Sequence, residues 1–179
     1  MKTILHKAEK RGHANHGWLD AHHTFSFASW HNPAQMNFGM LRVLNDDIVS
    51  AGNGFGRHPH DNMEIVTIPL EGALEHSDSM GNKGVIKNGE VQIMSAGTGI
   101  YHSEMNASKT EPVKVLQTWV FPKMKNIQPR YDQRAFKKQD RMNKLLTVVS
   151  PDKESKDTMW INQDSWYSLG SFEVEKDVD

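Results

Sequence analysis

The sequence contains no cysteine among its 179 residues. This absence excludes disulfide bonds and every metal site built on thiolates, and it is compatible with a reducing compartment. No apolar run approaches the roughly 20 residues that a membrane-spanning helix needs. The first residues, MKTILHKAEKRGH, lack the apolar core of a signal peptide. We therefore expect a cytoplasmic protein without a membrane partner.

The sequence also has little net charge, −1 at pH 7, and its acidic and basic residues are mixed along the chain. It therefore lacks the single-sign patch by which proteins bind nucleic acid directly. Histidine is unevenly placed: all ten histidines lie at or before His102. Any imidazole chemistry is expected in the first part of the chain.

Helical periodicity is missing as well, since no stretch up to about Val120 keeps a 3.6-residue apolar period for three turns. Short apolar or alternating runs, separated by turns rich in Gly, Asn and Pro, predict strands instead. These runs are 23–30, 40–49, 64–70, 90–96 and 114–121. Many short strands with regular turns favour a sandwich or a barrel.

The chain changes character after Phe121. Residues 123–144 are polar and basic and are predicted to form a connector. Strand-like runs return at 145–150, 159–162 and 166–174. About three strands are fewer than a sheet domain normally needs to stand alone.

Two short motifs carry metal-ligand chemistry. The segment HPHDNME (58–64) has the pattern H-x-H-x3-E, and HSE (102–104) follows some 40 residues later. Alternate residues of a strand point to the same face, ~6–7 Å apart, so each motif presents two side chains together. If the two strands meet inside a barrel, His58, His60, His102 and Glu104 converge. For each pair alone, an ordinary polar strand edge remains the alternative, but two such pairs favour a metal site.

The wider sequence around these motifs resembles one family. RGHANHGWLDAHHTFSFASW, LRVLNDD, HPHDNMEIVTIPLEGALEHSDSMGNKG and IMSAGTGIYHSEMN are similar to the pirin family of the cupin superfamily. They are close to the bacterial pirin-like proteins that are assigned quercetin 2,3-dioxygenase activity. The resemblance covers roughly residues 5–150.

The resemblance implies an all-β cupin fold, a jelly-roll-like antiparallel β-barrel, with an incomplete second cupin. It divides the chain into an N-terminal metal-binding cupin domain (1–122), a connector (123–144) and a partial C-terminal cupin domain (145–179). It also implies the metal ligands His58, His60, His102 and Glu104. In generic cupins the glutamate that matches Glu64 is the usual carboxylate ligand, whereas in pirins the HSE glutamate takes that role. We therefore expect Glu64 beside the metal, where it would orient an imidazole or a bound water, or as an occasional ligand.

Three functions remain open. The first is a metal-dependent dioxygenase that opens a flavonol-like ring with O2, with Glu104 or Glu64 as the catalytic base. The second is a regulatory or binding protein of the pirin type, without catalysis, and the third is a barrel that the metal merely stabilises. The expected cofactor is one divalent transition metal, with Fe2+ as first choice and Mn2+, Ni2+, Cu2+ or Zn2+ as alternatives. The expected partners are a small aromatic substrate and O2, and a dimer through the C-terminal segment is a further expectation.

Several other residues can be interpreted from their surroundings in the sequence. Histidines 13, 16, 22, 23 and 31 are expected mainly at turns and caps, with His23 the one that faces inward. His76 is expected on a hairpin that leads away from the site, at the surface or behind the ligands. Asp46 and Asp47 are expected to be solvated or locally paired.

Overall fold

The computed structural model describes residues 3 and 5–174, whose regular secondary structure is almost entirely β-strand. The strands are β1 (Gly12–Asn15), β2 (Leu19–His23), β3 (Leu41–Val49), β4 (Gly54–His60), β5 (Glu64–Glu71), β6 (Ala73–Asp78), β7 (Lys83–Lys87), β8 (Glu90–Ser95), β9 (Ile100–Asn106), β10 (Val113–Val120), β11 (Arg130–Ala135), β12 (Leu145–Ser150), β13 (Met159–Trp160) and β14 (Tyr167–Gly170). Two single 3-10 turns lie at Ala8–Lys10 and Lys138–Arg141. Within the described residues, no helix is long and apolar enough to cross a membrane.

Three sheets organise these strands. A seven-stranded antiparallel sheet has the order β1-β2-β3-β10-β5-β8-β11, and a four-stranded antiparallel sheet has the order β4-β9-β6-β7. The two sheets face each other and bury apolar side chains between them. One interior cluster joins Leu19, Val49 and Val115 of the larger sheet to Leu74 of the smaller one. This confirms the expected all-β, jelly-roll-like barrel.

The third sheet, β13-β12-β14, covers the outside of the barrel. Its buried residues Val148, Val149, Met159 and Ile161 pack against Val66, Val91 and Ile93 of the larger sheet. Strand β5 is therefore buried on both faces: Ile65 points into the barrel, and the next residue, Val66, points to the third sheet. Double burial explains why this strand has a nearly continuous apolar sequence.

Most predicted strands are confirmed, and the differences have local causes. The run 40–49 is β3, 64–70 lies within β5, and 145–150 is β12. The prediction of a strand over 23–30 is wrong, because β2 ends at His23 and a turn closed by Phe27 and Trp30 follows. The apolar runs did not predict β1, β2, β6, β7 or β11, and strands β4 and β9 were expected only from the two histidine motifs.

The expected connector, residues 123–144, contains β11, which pairs with β8 and extends the larger sheet. The boundaries at residues 122 and 145 stay a prediction, as does dimerisation through the C-terminal segment. What the structure shows is that this segment packs on the barrel of its own chain.

Candidate metal centre

Two adjacent strands of the smaller sheet bring three histidines together. In the antiparallel pairing of β4 with β9, His58 lies directly opposite His102, and His60 lies opposite Ile100. The centroids of the His58 and His102 rings are 4.3 Å apart, and His60 lies 4.9 Å from each. One nitrogen from each ring falls within 4.8 Å of the other two. The structure therefore unites the histidines of both motifs.

The ring of His58 is held by its own strand. Its Nδ1 donates a hydrogen bond to the carbonyl oxygen of Gly56 at 2.7 Å. Because a carbonyl can only accept, the proton is on Nδ1, and Nε2 is the nitrogen that remains available as a ligand. A hydrogen bond of this kind fixes both the tautomer and the orientation of a metal-binding imidazole.

Burial keeps the other two imidazoles neutral. Burial, with a smaller contribution from neighbouring histidines, lowers the pKa of His60 to about 4 and that of His102 to about 2. Among the described residues, neither ring nitrogen of His102 has a hydrogen-bond partner, although both are buried. Buried polar atoms normally have partners, and a divalent ion among the three rings would supply one. The residues present thus fit a metal ion.

Glu104 lies on the same strand as His102 but is not among the donors that are mutually within 4.8 Å. Its carboxylate is buried and accepts hydrogen bonds from the side-chain amide of Gln117 at 2.9 and 3.1 Å. Burial raises its pKa, which the Gln117 hydrogen bond partly offsets. Glu104 as the fourth ligand stays a prediction.

Glu64 has different surroundings. Its Oε2 accepts hydrogen bonds from Ser95 Oγ at 2.7 Å and from the backbone N–H of Asn162 at 3.1 Å. Asn162 lies just beyond β13, so this carboxylate connects the barrel to the third sheet. Burial raises its pKa, and these hydrogen bonds and Arg130 oppose the shift. Among the described residues no hydrogen bond joins Glu64 to a histidine, and its catalytic role stays a prediction.

A cavity of about 400 Å³ opens beside the histidines. Its apolar wall consists of Trp18, Phe27, Phe55 and Trp119. Its polar groups are His58, Glu104, Gln117, Asn45 and Asp47. Trp119 also lies 4.7 Å from the ring of His60, so the aromatic wall reaches the histidine cluster. The volume and the aromatic lining suit a small planar molecule placed beside the histidines.

Asp47 corrects one prediction from the sequence. It is only 7% exposed, not solvated, and its Oδ1 has no hydrogen-bond partner among the described residues. Burial raises its pKa to about 7, and Asp46, Glu104 and Asp20 add to the shift. Strand alternation could have identified it, because Val43, Asn45, Asp47 and Val49 all face inward on β3.

For His76 two places were expected, at the surface or behind the ligands, and the structure shows the second. It is fully buried and lies opposite Glu104 in the pairing of β6 with β9. Its ring is 5.3 Å from that of His102 and is stacked on Tyr131 at 4.6 Å. Its Nε2 lies 3.2 Å from Asp78 Oδ2. The β6–β7 hairpin therefore passes behind the site instead of leading away from it.

His23 is buried as expected and lies 3.0 Å from Asn45 Oδ1. Because Asn45 lines the cavity, His23 supports the cavity wall from behind. The remaining early histidines lie outside this centre.

Comparison with known proteins agrees with this geometry. The Pirin family model matches residues 5–120. Quercetin 2,3-dioxygenase of Escherichia coli (strain K12) is 57% identical over 148 residues, which cover 83% of this chain and 63% of that protein. A pirin-like protein of Caulobacter vibrioides is 44% identical over 157 residues, which cover 88% of this chain and 67% of that protein.

The crystal structure of the bacterial pirin YhhW from Escherichia coli in complex with nickel(II) superimposes with a TM-score of 0.83. It is 52% identical in sequence, and the match covers 88% of this chain and 66% of YhhW. The chain thus spans about two thirds of the length of these relatives.

Proposed function

The chain belongs to the pirin family, and from this premise we propose that it is a metal-dependent dioxygenase that opens the ring of a flavonol-like substrate with O2. The observation that carries the proposal is the position of the cavity. His58 and the carboxyl groups of Glu104 and Asp47 line the cavity, and its aromatic wall reaches His60 through Trp119, so a planar oxygen-rich molecule can approach the metal position.

His58, His60 and His102 hold the metal, with Glu104 as the fourth ligand. When bound, the ion supplies Lewis-acid chemistry and a template for neighbouring oxygen atoms of the substrate. Three imidazoles and one carboxylate, without sulfur, suit the borderline divalent metals. We keep Fe2+ as the first choice, and the nickel complex of YhhW makes Ni2+ the first alternative to load.

The residues of the chain have separate tasks. Trp18, Phe27 and Trp119 exclude water and orient the aromatic rings of the substrate. Glu104 accepts the proton of a substrate hydroxyl, which requires that its ligation be loose, since a firmly coordinated carboxylate is a poor base. Gln117 donates to both oxygens of Glu104 and so fixes the direction of that carboxylate.

The test is to load the purified chain separately with Fe2+, Mn2+ and Ni2+ and to incubate it with a flavonol, with and without O2. The proposal predicts oxygen uptake together with loss of the flavonol absorbance, in aerobic samples only. A matched Glu104→Gln variant should bind the flavonol but turn it over more slowly. Binding without turnover under every metal would favour a regulatory or binding protein. Native metal content measured on the purified protein would identify the physiological ion.

A further inference from the structure

The first two strands carry a second cluster of metal-ligand side chains, outside the barrel. We propose that His13, Asp20 and His22 form a separate site for a divalent transition-metal ion. This inference does not depend on the proposed dioxygenase activity, because none of the three residues lines the cavity or belongs to the barrel centre.

The register of the β1–β2 hairpin brings the three residues together. His13 lies directly opposite His22, and Asp20 is two residues from His22 on the same face of β2. Directly opposed and diagonal residues of an antiparallel pair are the ones whose side chains can meet. The hairpin is tightened at its turn, where the side chain of Asn15 accepts a hydrogen bond from the backbone N–H of Gly17 at 2.8 Å.

The donor atoms are already close to one another. One nitrogen of each histidine and one carboxylate oxygen of Asp20 are all mutually within 4.8 Å. His13 Nε2 lies 2.6 Å from Asp20 Oδ1, and the two imidazole rings are stacked with centroids 4.6 Å apart. An ion would sit at the ring edges, where the nitrogens and the carboxylate meet, in place of the hydrogen bond between His13 and Asp20.

The site lies on the outer face of the sheet. Along β2, Leu19, Ala21 and His23 are buried, whereas Asp20 and His22 alternate with them and are partly exposed. Strand β1 is an edge strand, so an ion can enter from solvent. Arg11 also lies at this edge, but Asp46 pairs with it at 3.0 Å and offsets its charge.

The donor set defines the class of ion. Two imidazoles and one carboxylate favour Zn2+, Ni2+ or Cu2+ over Mg2+ or Ca2+, which prefer oxygen ligands. Three protein donors leave further positions for water. The ion is therefore expected to exchange more readily than one in the buried barrel centre.

The experiment is a Zn2+ titration of the full chain by isothermal calorimetry, after removal of metal with a chelator that is then dialysed away. In a His60→Ala background, which removes a ligand of the barrel centre, the inference predicts that one equivalent still binds. Adding His22→Ala should abolish it. Adding Asp20→Asn should weaken it by about tenfold or more, because a ligand is lost while the shape is kept.

His31→Ala in the same background is the matched control, since His31 is exposed and lies outside both clusters. This variant should bind like His60→Ala alone. Unchanged binding after His22→Ala, or an equal loss after His31→Ala, would show that Zn2+ associates with surface histidines in general and would overturn the inference. Absence of any binding in the His60→Ala chain would overturn it as well.

Discussion

The two buried glutamates, Glu104 and Glu64, have different surroundings. Glu104 lies in the barrel interior, whereas Glu64 lies at the interface between the barrel and the third sheet, called the seam below. Glu104 lies at the cavity, where Gln117 donates to its carboxylate. Glu64 faces the seam, where Ser95 and the backbone of Asn162 donate to it. Both belong to motifs with metal-ligand spacing, but only Glu104 lines the cavity beside the histidines. The hydrogen-bond partners on neighbouring strands therefore determine whether a motif carboxylate is available to a bound metal or substrate.

Removal of one barrel histidine is expected to have the largest effect. His60→Ala deletes one of three converging imidazoles, and an ion left on His58, His102 and Glu104 should exchange fast enough to be lost during dialysis. We expect the metal that survives exhaustive dialysis to fall from about one per chain to background, as measured by elemental analysis. The wild-type metal content in this variant would refute the ligand assignment.

The packing of the third sheet on the barrel can be tested by shortening a buried side chain in the apolar cluster between them. Met159 is fully buried against the outer face of the barrel. Met159→Ala should lower the free energy of unfolding by about 2–5 kcal/mol in denaturant titrations, while the metal content stays unchanged. Val174→Ala is the control, since Val174 is exposed, and should have little effect. Joint loss of stability and metal in Met159→Ala would mean that the two regions are not separable.

Deleting residues 145–179 extends this test. It should uncover Val66, Val91 and Ile93 and thereby lower solubility or change the oligomeric state, with the histidine cluster kept. Sedimentation of the full chain and of the shortened chain measures the oligomeric state of each. Unchanged mass and unchanged solubility would show that the segment is dispensable.

Asp47 should make the stability of the metal-free chain depend on pH. Its pKa is raised from 3.8 to about 7, so between these values the folded chain holds a proton that the unfolded chain has released. The free energy of unfolding should therefore fall as pH rises from about 4 to 7, by at most on the order of 4 kcal/mol. Asp47→Asn should flatten this slope in denaturant titrations across the range. An unaltered slope would show that Asp47 is not the group responsible.

Substitutions of the two glutamates should give the smallest effects, one on metal affinity and the other on stability. Glu104→Gln should weaken metal affinity by about 10–100-fold and leave stability nearly unchanged. Glu64→Gln should keep the affinity but cost about 1–3 kcal/mol of stability, because buried hydrogen bonds to Ser95 and Asn162 are perturbed. Competition with a metal indicator and denaturant titration measure the two quantities. If only Glu64→Gln loses the ion, Glu64 is the carboxylate ligand and our assignment is reversed.

Local patterns in the sequence predicted much of the fold and the proximity of three histidines. Strands β3, β5, β8 and β10 follow from their apolar runs, and the alternation in the two motifs predicts that His58, His60 and His102 converge. The alternation of buried and exposed residues along β3 also predicts that Asp47 faces inward. We expected it in solvent because two adjacent aspartates are usually exposed. Of the two aspartates, Asp46 is the one that points outward, where it forms an ion pair with Arg11.

Other features depend on contacts between distant segments, which periodicity does not encode. Strand β11 is polar and basic, and it forms because the edge of β8 offers it a full set of backbone partners. His76 becomes buried only because β9 and Tyr131 cover it. The position of Glu64 depends on Asn162, which lies 98 residues away along the chain.

We propose that one metal ion is held by the imidazoles of His58, His60 and His102 inside the barrel. The most direct measurement is X-ray absorption at the zinc edge on the chain loaded with a single equivalent of Zn2+, which should fill the barrel centre before the surface cluster. If these residues hold the ion, the spectrum should show three imidazole nitrogens at ~2.0–2.1 Å from the zinc, together with one oxygen ligand from Glu104. Two or fewer imidazoles, or a spectrum that His60→Ala leaves unchanged, would contradict it.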